Sequence, residues 1–587
     1  MKAYYLLCII LAATVLLCSC SSRAMQDGAS TAAPSIGSDP SEDVYFSQRD
    51  LSGSYDPSHC AVIELKGDTA ACASDAVRID GSTVTICDEG SYLLRGNLTD
   101  GMILVDAGED DKTQLILQNV SIHSQSSAPI YIRQADKVFL TLEQGSENSL
   151  TSGESYTPID DNQIDGVIFS KSDLCMNGTG ALTISSPAGH GIVSKDELTM
   201  AGGGSYTITA AGHGLSANNS ICMEQVKLTV FSGKDAIKAE HDTDSLLGLI
   251  YIQDGTYDLT CAGDGISAGA ALTIEGGSFR ITAGGGSENG EIRVSDQWGH
   301  MGGRPGGPGG KGNTPQPTEG TDSLEDSASI KGIKSAGIMR ITGGSYLIDS
   351  ADDALHSNDE LIVEGGSFTI ESGDDGLHAD NALLISGGSL AIKESYEGLE
   401  GLSVEISGGT ISVVSSDDGI NAAGGSDGSG FGGFRGGDRF GGSGSSDSFI
   451  RITAGTLSIR AEGDGIDSNG TLEITGGAIT VCCPTMGDTA VLDYEISGSV
   501  HGGTFIGTGA YQMAQSFSDS GQGVIAVSVG NQPAGTEICL TDAAGNLMLS
   551  HCPELDFAIV ILSSPEIQKG NTYTITVGSA SGSFPAS

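Results

Sequence analysis

The chain has 587 residues, with 75 acidic side chains against 27 basic ones, for a formal charge of −48. That balance excludes nucleic acid as a natural partner, because a phosphate backbone needs a basic face. It leaves cations, neutral sugars and cation-bridged anions. Glycine at 88 residues with only 5% aromatics is too lean for one thick globular core and suits thin stacked layers.

Residues 1–19 read as a secretory signal: one Lys, an apolar run, then Leu17-Cys18-Ser19-Cys20. The Leu-x-Ser-Cys ending resembles a bacterial lipobox. The resemblance implies cleavage before Cys20, lipid on its sulfur, and an extracellular protein anchored to the membrane through that lipid alone. Residues 20–58 are rich in Ser, Ala, Gly, Asp and Pro and read as a flexible tether. From 59 to 160 short strands separated by Gly and Asp turns form a first, capping part.

The main body is expected over 161–515, and its plan is clearest between Lys331 and Ala423. Each block there holds an acidic corner, a small-residue turn, a short alternating strand, a Gly-Gly pair and a second short strand. Asp353, Asp375, Glu397 and Asp418 recur at intervals of 22, 22 and 21 residues. Such a period with two β-type runs marks a solenoid. The expected fold is all-β: a right-handed parallel β-helix, single-stranded, with about 22 residues per coil. Leu361, Val363, Phe368 and Ile370, then Leu383, Ile385, Leu390 and Ile392, alternate at period two and would point inward. The same corner slot holds Asp165, His190, His213, Asp235 and Asp264 earlier, and Asp464 later. The two histidines would relieve charge if neutral, or suit a softer metal if they were ligands.

Two glycine-rich stretches, 284–329 and 424–448, break the period and read as insertions at turns. The second carries Phe431, Phe434, Arg435, Arg439 and Phe440, which could grip a polymer. Residues 520–587 lose the period and read as a small C-terminal antiparallel β domain that could cover the open end. Of the ten cysteines after Cys20, Cys539 and Cys552 could pair; the absence of CxxC spacing removes a zinc ribbon.

Stacking the corners creates an electrostatic demand. Asp352, Asp374 and Asp417 fall beside Asp353, Asp375, Glu397 and Asp418, and a second column holds His356, His378, Glu400 and Asn421, followed by Asp467. Carboxylates about 5 Å apart repel unless a proton or cation intervenes. Ca²⁺ accepts oxygens at about 2.3–2.6 Å and can bridge such a pair. The expected metal ligands are therefore Asp352, Asp353, Asp374, Asp375, Glu397, Glu400, Asp417 and Asp418. The competing explanation is that Asp-Asp-Gly is simply good turn chemistry.

The segments "ADDALHSND", "DDGLHADNALLISGGS" and "SSDDGINAAGG", with "GSYLLRGNLTDGMILVDAG" nearer the start, resemble a carbohydrate-binding domain family typified by a clostridial cell-surface β-helix protein. The resemblance implies a pectate-lyase-like fold, calcium at the acidic corners and binding of plant cell-wall polysaccharide, cellulose or pectin-like acidic sugars. The expected protein is a non-catalytic monomer. A calcium-dependent lyase is the alternative, since Lys238, Lys331 and Lys334 lie near the corners as candidate bases. A passive adhesin or scaffold is the third reading.

Overall fold

The computed structural model describes residues 45–241, 243–290, 330–423, 447–485 and 489–587. Cys20, the lipobox and the aromatic and arginine side chains of the second insertion lie outside them. Among the described residues the protein is all-β apart from one four-residue α-helix and two short 3-10 turns. Forty-five strands join one mostly parallel sheet and four form a second, antiparallel one.

The repeat contains three strands, not the two read from the sequence. In one period these are Leu355–Ser357, Glu360–Val363 and Ser367–Ser372. Each pairs in parallel with its counterpart one period later: Leu355 with Leu377, Leu361 with Leu383, Phe368 with Leu390. The missed strand is the one after the acidic corner. At three residues it is too short to display alternation.

Burial follows from that pairing. Leu361, Val363, Phe368 and Ile370 are buried, as are Leu383, Ile385, Leu390 and Ile392. Because equivalent residues are in register, like packs on like. Tyr257, Phe279, Tyr346 and Phe368 stack with ring centroids 4.6, 4.8 and 4.4 Å apart. The Gly-Gly pair turns the chain between the second and third strands. Gly366 has φ +99°, which a side chain would strain, and a Cβ on Gly365 would fall 2.3 Å from the Thr342 carbonyl.

Two expected boundaries are corrected. The tether was expected to run to 58, but from Tyr45 onward the chain is packed. Tyr45 stacks on Tyr251 at 3.8 Å, Phe46 is buried, and Ser47 and Asp50 form a capping box on helix Gln48–Leu51. Asp50 then meets Lys137 at 2.7 Å. Likewise, the first insertion was drawn from 284, yet Gly284–Gly290 stays against the sheet, with the Ser287 amide donating to Asp349 at 2.7 Å. At the other end, strand Phe557–Ser563 runs antiparallel to both Ser497–Gly509 and Val524–Gln532. Strands Ile538–Thr541, Leu547–His551, Thr572–Val577 and Ala580–Pro585 form the separate sheet. Cys539 and Cys552, offered as a pair, are free thiols.

A half-buried knot of acids lies in the earlier repeats. Asp173 sits beside Asp196 and Glu197, and burial with those two neighbours pushes its carboxyl up to about 7. A carboxyl raised in the folded state stabilises below its unfolded value and loses that contribution as pH rises through its folded value. The protein is therefore expected to lose about 2 kcal/mol between pH 5 and pH 8 from this group. Asp173→Asn, melted across that range, is expected to flatten this part of the pH profile.

Candidate metal centre at the corner column

The corner residues form a hydrogen-bonded spine. Backbone first: the amide after each corner donates to the carbonyl of the next corner, Ala354 to Asp375 at 3.0 Å, Gly376 to Glu397 at 2.9 Å, Gly398 to Asp418 at 3.0 Å and Gly419 to Asp464 at 2.9 Å. The side chains repeat the theme. Asp353 Oδ1 accepts the Asp375 amide at 3.0 Å, Asp375 Oδ1 accepts that of Glu397 at 3.2 Å, and Asp418 Oδ1 accepts that of Asp464 at 2.6 Å. Upstream the same job falls to other acceptors: His190 Nδ1 takes the His213 amide at 2.8 Å, His213 Nδ1 that of Asp235 at 3.2 Å, Asp235 that of Asp264 at 2.9 Å, and Asp264 that of Lys331 at 2.8 Å. Asp and His recur in the slot because both offer a short-range acceptor. Each aspartate here thus commits one oxygen to the amide of the next corner and leaves the second to be satisfied, while both oxygens of Glu397 accept from Asn421 Nδ2.

How it is satisfied changes along the column. Lys331 occupies the corner slot one period before Asp353. It is 1% exposed, and its Nζ lies 3.1 Å from Asp352 and 2.7 Å from Asp353. His356 Nδ1 lies 2.8 Å from the same Asp353 oxygen. Burial alone would raise the Asp353 carboxyl, but the Lys331 ammonium and His356 outweigh it and hold the group well below the usual range. At the Asp352–Asp353 pair a protein ammonium supplies a counter-charge.

The second column is in register as expected: Lys334, His356, His378, Glu400, Asn421 and Asp467 pair in turn. His356 and His378 stack at 4.7 Å. His378 Nδ1 lies 3.1 Å from Asp375 and 2.5 Å from Glu400, and its Nε2 lies 3.2 Å from Asp380. Burial opposes a charge there, yet these three carboxylates hold the imidazole well above its usual value. Farther along, acids meet acids. Burial, Glu400, Asp375 and Asp418 push the Glu397 carboxyl well up; burial, Asp464, Asp417 and Asp467 do the same to Asp418.

Among the described residues three groups bring His or carboxylate atoms within 4.8 Å of one another: Asp353–His356–His378, Asp375–His378–Glu400 and Asp352–Asp353–Asp374. Five of the eight expected ligands fall in these groups, namely Asp352, Asp353, Asp374, Asp375 and Glu400. Glu397, Asp417 and Asp418 do not. The sequence reading put His356 and His378 in the column without making them site residues, and treated Lys331 as a candidate base. Lys331 stands 22 residues before Asp353, so the repeat itself carried the signal.

One atom bears on whether a cation fits. Asn421 is 3% exposed; its Nδ2 donates to Glu397 at 3.0 and 2.9 Å, while its Oδ1 is buried without a hydrogen bond. A buried carbonyl oxygen beside raised carboxyls is a donor set for a hard cation.

Residues 80–376 match the model of a family described as carbohydrate-binding domain-containing protein. The chain belongs to the carbohydrate-binding domain-containing family. A protein of Acetivibrio thermocellus with that description is 32% identical over 213 residues, which is 36% of this chain and 74% of the relative. A solved structure titled as a polysaccharide lyase-like protein from C. thermocellum, gadolinium derivative, shares 31% identity over 37% of this chain and 87% of that one, with a TM-score of 0.35. The family match ends at Gly376, so Glu397, Asp417 and Asp418 lie beyond this carbohydrate-binding domain match.

Proposed function

We propose that this protein is a calcium-binding, cell-surface lipoprotein that recognises plant cell-wall polysaccharide, without catalysis of its own. Membership of the carbohydrate-binding domain-containing family is the observation that carries the sugar reading. In this reading the parallel repeats wind as a right-handed β-helix, Cys20 carries the lipid, and the polymer is cellulose or a pectin-like acidic polysaccharide. Calcium would be held by Glu397, Glu400, Asp417 and Asp418 with the buried oxygen of Asn421, where the Glu397 and Asp418 carboxyls are raised and a carbonyl oxygen stands without a hydrogen bond. Asp352 and Asp353 would instead stay with Lys331. The same pairing speaks against a lyase: Lys331 is buried against two carboxylates and Lys238 is paired with Glu240.

Chelation tests the reading. A protein loaded with calcium at about a hundredfold over its dissociation constant gains about 2.7 kcal/mol. The EDTA-treated protein is therefore expected to melt several degrees lower, to recover with Ca²⁺, and to lose retention on pectin or swollen cellulose. Equal melting with and without chelator sinks the calcium assignment. Rising absorbance on incubation with polygalacturonate would overturn the non-catalytic one.

A further inference from the structure

The bends between the second and third strands differ along the chain, and the difference opens a cleft near its start. In the regular repeats the Gly-Gly pair lies flush on the coil before it: a Cβ on Gly343, Gly365, Gly387 or Gly408 would fall 2.2–2.5 Å from a carbonyl oxygen there. No Gly-Gly pair precedes Gly202. The earlier bends are Arg95, then Gln118-Asn119, then Glu143–Ser146, of unequal length on successive coils. Opposite Arg95 the next coil spends two residues, and Asn119 takes up the extra one with φ +54°. Its Oδ1 accepts the Glu147 amide at 3.0 Å, which pins the bulge to the following coil.

The cleft among these bends measures about 400 Å³, and its lining includes Glu64, Arg95, Gln118, Asn119, Glu143 and Gln144. Two of these side chains are held in place by partners. Arg95 Nε donates to Glu64 Oε1 at 2.7 Å, and the Tyr55 hydroxyl donates to Glu143 Oε1 at 2.6 Å. Each carboxylate keeps its Oε2 uncommitted among the described residues. Gln118 and Gln144 engage no other described residue with their side-chain amides. The cleft therefore mixes guanidinium and amide donors with amide and carboxylate acceptors. Its volume lies in the lower part of the range for small-ligand sites, about 300–1,000 Å³. Such sites are usually lined by hydrophobic side chains, whereas this one has no large apolar side chain in its lining. That composition selects a ligand rich in hydroxyls.

We infer that this cleft is a sugar subsite, and that it takes a short, neutral stretch of polysaccharide. The inference rests on the carbohydrate-binding reading above and gives it a place and a ligand charge. A planar amide or carboxylate presents two hydrogen-bonding atoms side by side and so matches adjacent hydroxyls on a sugar ring. Two carboxylates against one guanidinium leave the lining with one net negative charge, which repels a uronate and spares a neutral sugar. All of the lining except Glu64 falls within residues 80–376, the span that matches the family model.

The experiment titrates the full chain with cellotetraose and with trigalacturonate by calorimetry, alongside retention on swollen cellulose and on pectin and the melting temperature. Gln118→Ala/Gln144→Ala removes two amides that hold nothing else in place. It is expected to melt with wild type while losing at least tenfold in affinity for cellotetraose. Gly145→Asn is the second variant. Asn tolerates the positive φ there, +74°, and a Cβ at this position meets nothing within 4 Å, so the side chain stands at the rim of the cleft. It is expected to lower the affinity independently. Unchanged affinity of the double variant, with wild type binding cellotetraose, overturns this placement and leaves the carbohydrate-binding function standing. Retention of wild type on a polymer without binding of cellotetraose does the same. Tighter binding of trigalacturonate than of cellotetraose overturns the neutral assignment. A wild-type chain that binds neither oligosaccharide and is retained on neither polymer overturns both this inference and the function it rests on.

Discussion

Lys331→Met is expected to cost about 3–5 kcal/mol, a loss read from denaturant or thermal unfolding. The ammonium is almost wholly buried, between Asp352 and Asp353. Removing one partner of a buried pair leaves the other charge stranded in a poorly polarisable interior, and that stranded charge, rather than the lost attraction, sets the size of the effect. Methionine keeps the volume, so packing is nearly matched. A second substitution separates the two causes. In the Lys331→Met background, Asp353→Asn keeps an oxygen for the Asp375 amide while removing the charge, and is expected to restore part of the loss. Asp353→Asn alone should be destabilising, because the buried Lys331 is then left with Asp352 alone of these two carboxylates. Were Lys331→Met to cost less than about 1 kcal/mol, the buried-pair account of this corner would be wrong.

Phe368→Ala is expected to cost a similar amount, about 3–5 kcal/mol. The ring ends a stack of four and is 2% exposed, with Tyr346 above it at 4.4 Å. Deleting it opens a cavity that the flanking repeats cannot close, because their own strands are locked in register with it on both sides. In stacked repeats each unit is held by its neighbours. Faster amide exchange is therefore expected in Ser345–Ser350 and Ser389–Glu394, and little change in the earliest repeats. Phe368→Leu provides the contrast. The next position in the same row is already Leu390, and a change of that kind keeps most of the volume, so a cost below about 1.5 kcal/mol is expected.

What could be read from the sequence follows from how strongly each feature repeats. The period of 22 stands in Asp353, Asp375 and Glu397, and the inward positions alternate, so the stacking residues Leu361, Phe368, Leu383 and Leu390 were legible as core. The strand Leu355–Ser357 was not, since three residues cannot show a pattern of two. Lys331 was read as a candidate base near the corner because its chemistry differs from the aspartates whose slot it shares; the structure shows it buried against Asp352 and Asp353. Tyr45 and Phe46 sit at the end of a polar stretch whose composition hides two rings that dock on a distant strand. As for the acids, the sequence showed them in line but not that the aspartates each lend an oxygen to the next corner's backbone amide.

That lent oxygen has a further consequence. The side chain of Asp264 reaches the amide of Lys331, 67 positions later, and Asp418 reaches that of Asp464, 46 positions later, with the same geometry used where the interval is 22. The spine counts turns of the structure and is indifferent to how many residues are spent between them. Lengthening an excursion costs only the slowly growing entropy of closing it, about 0.6 kcal/mol per doubling. Segments inserted between successive corners are thus free to diverge in size and composition as exchangeable cassettes, while the scaffold that carries them stays the same.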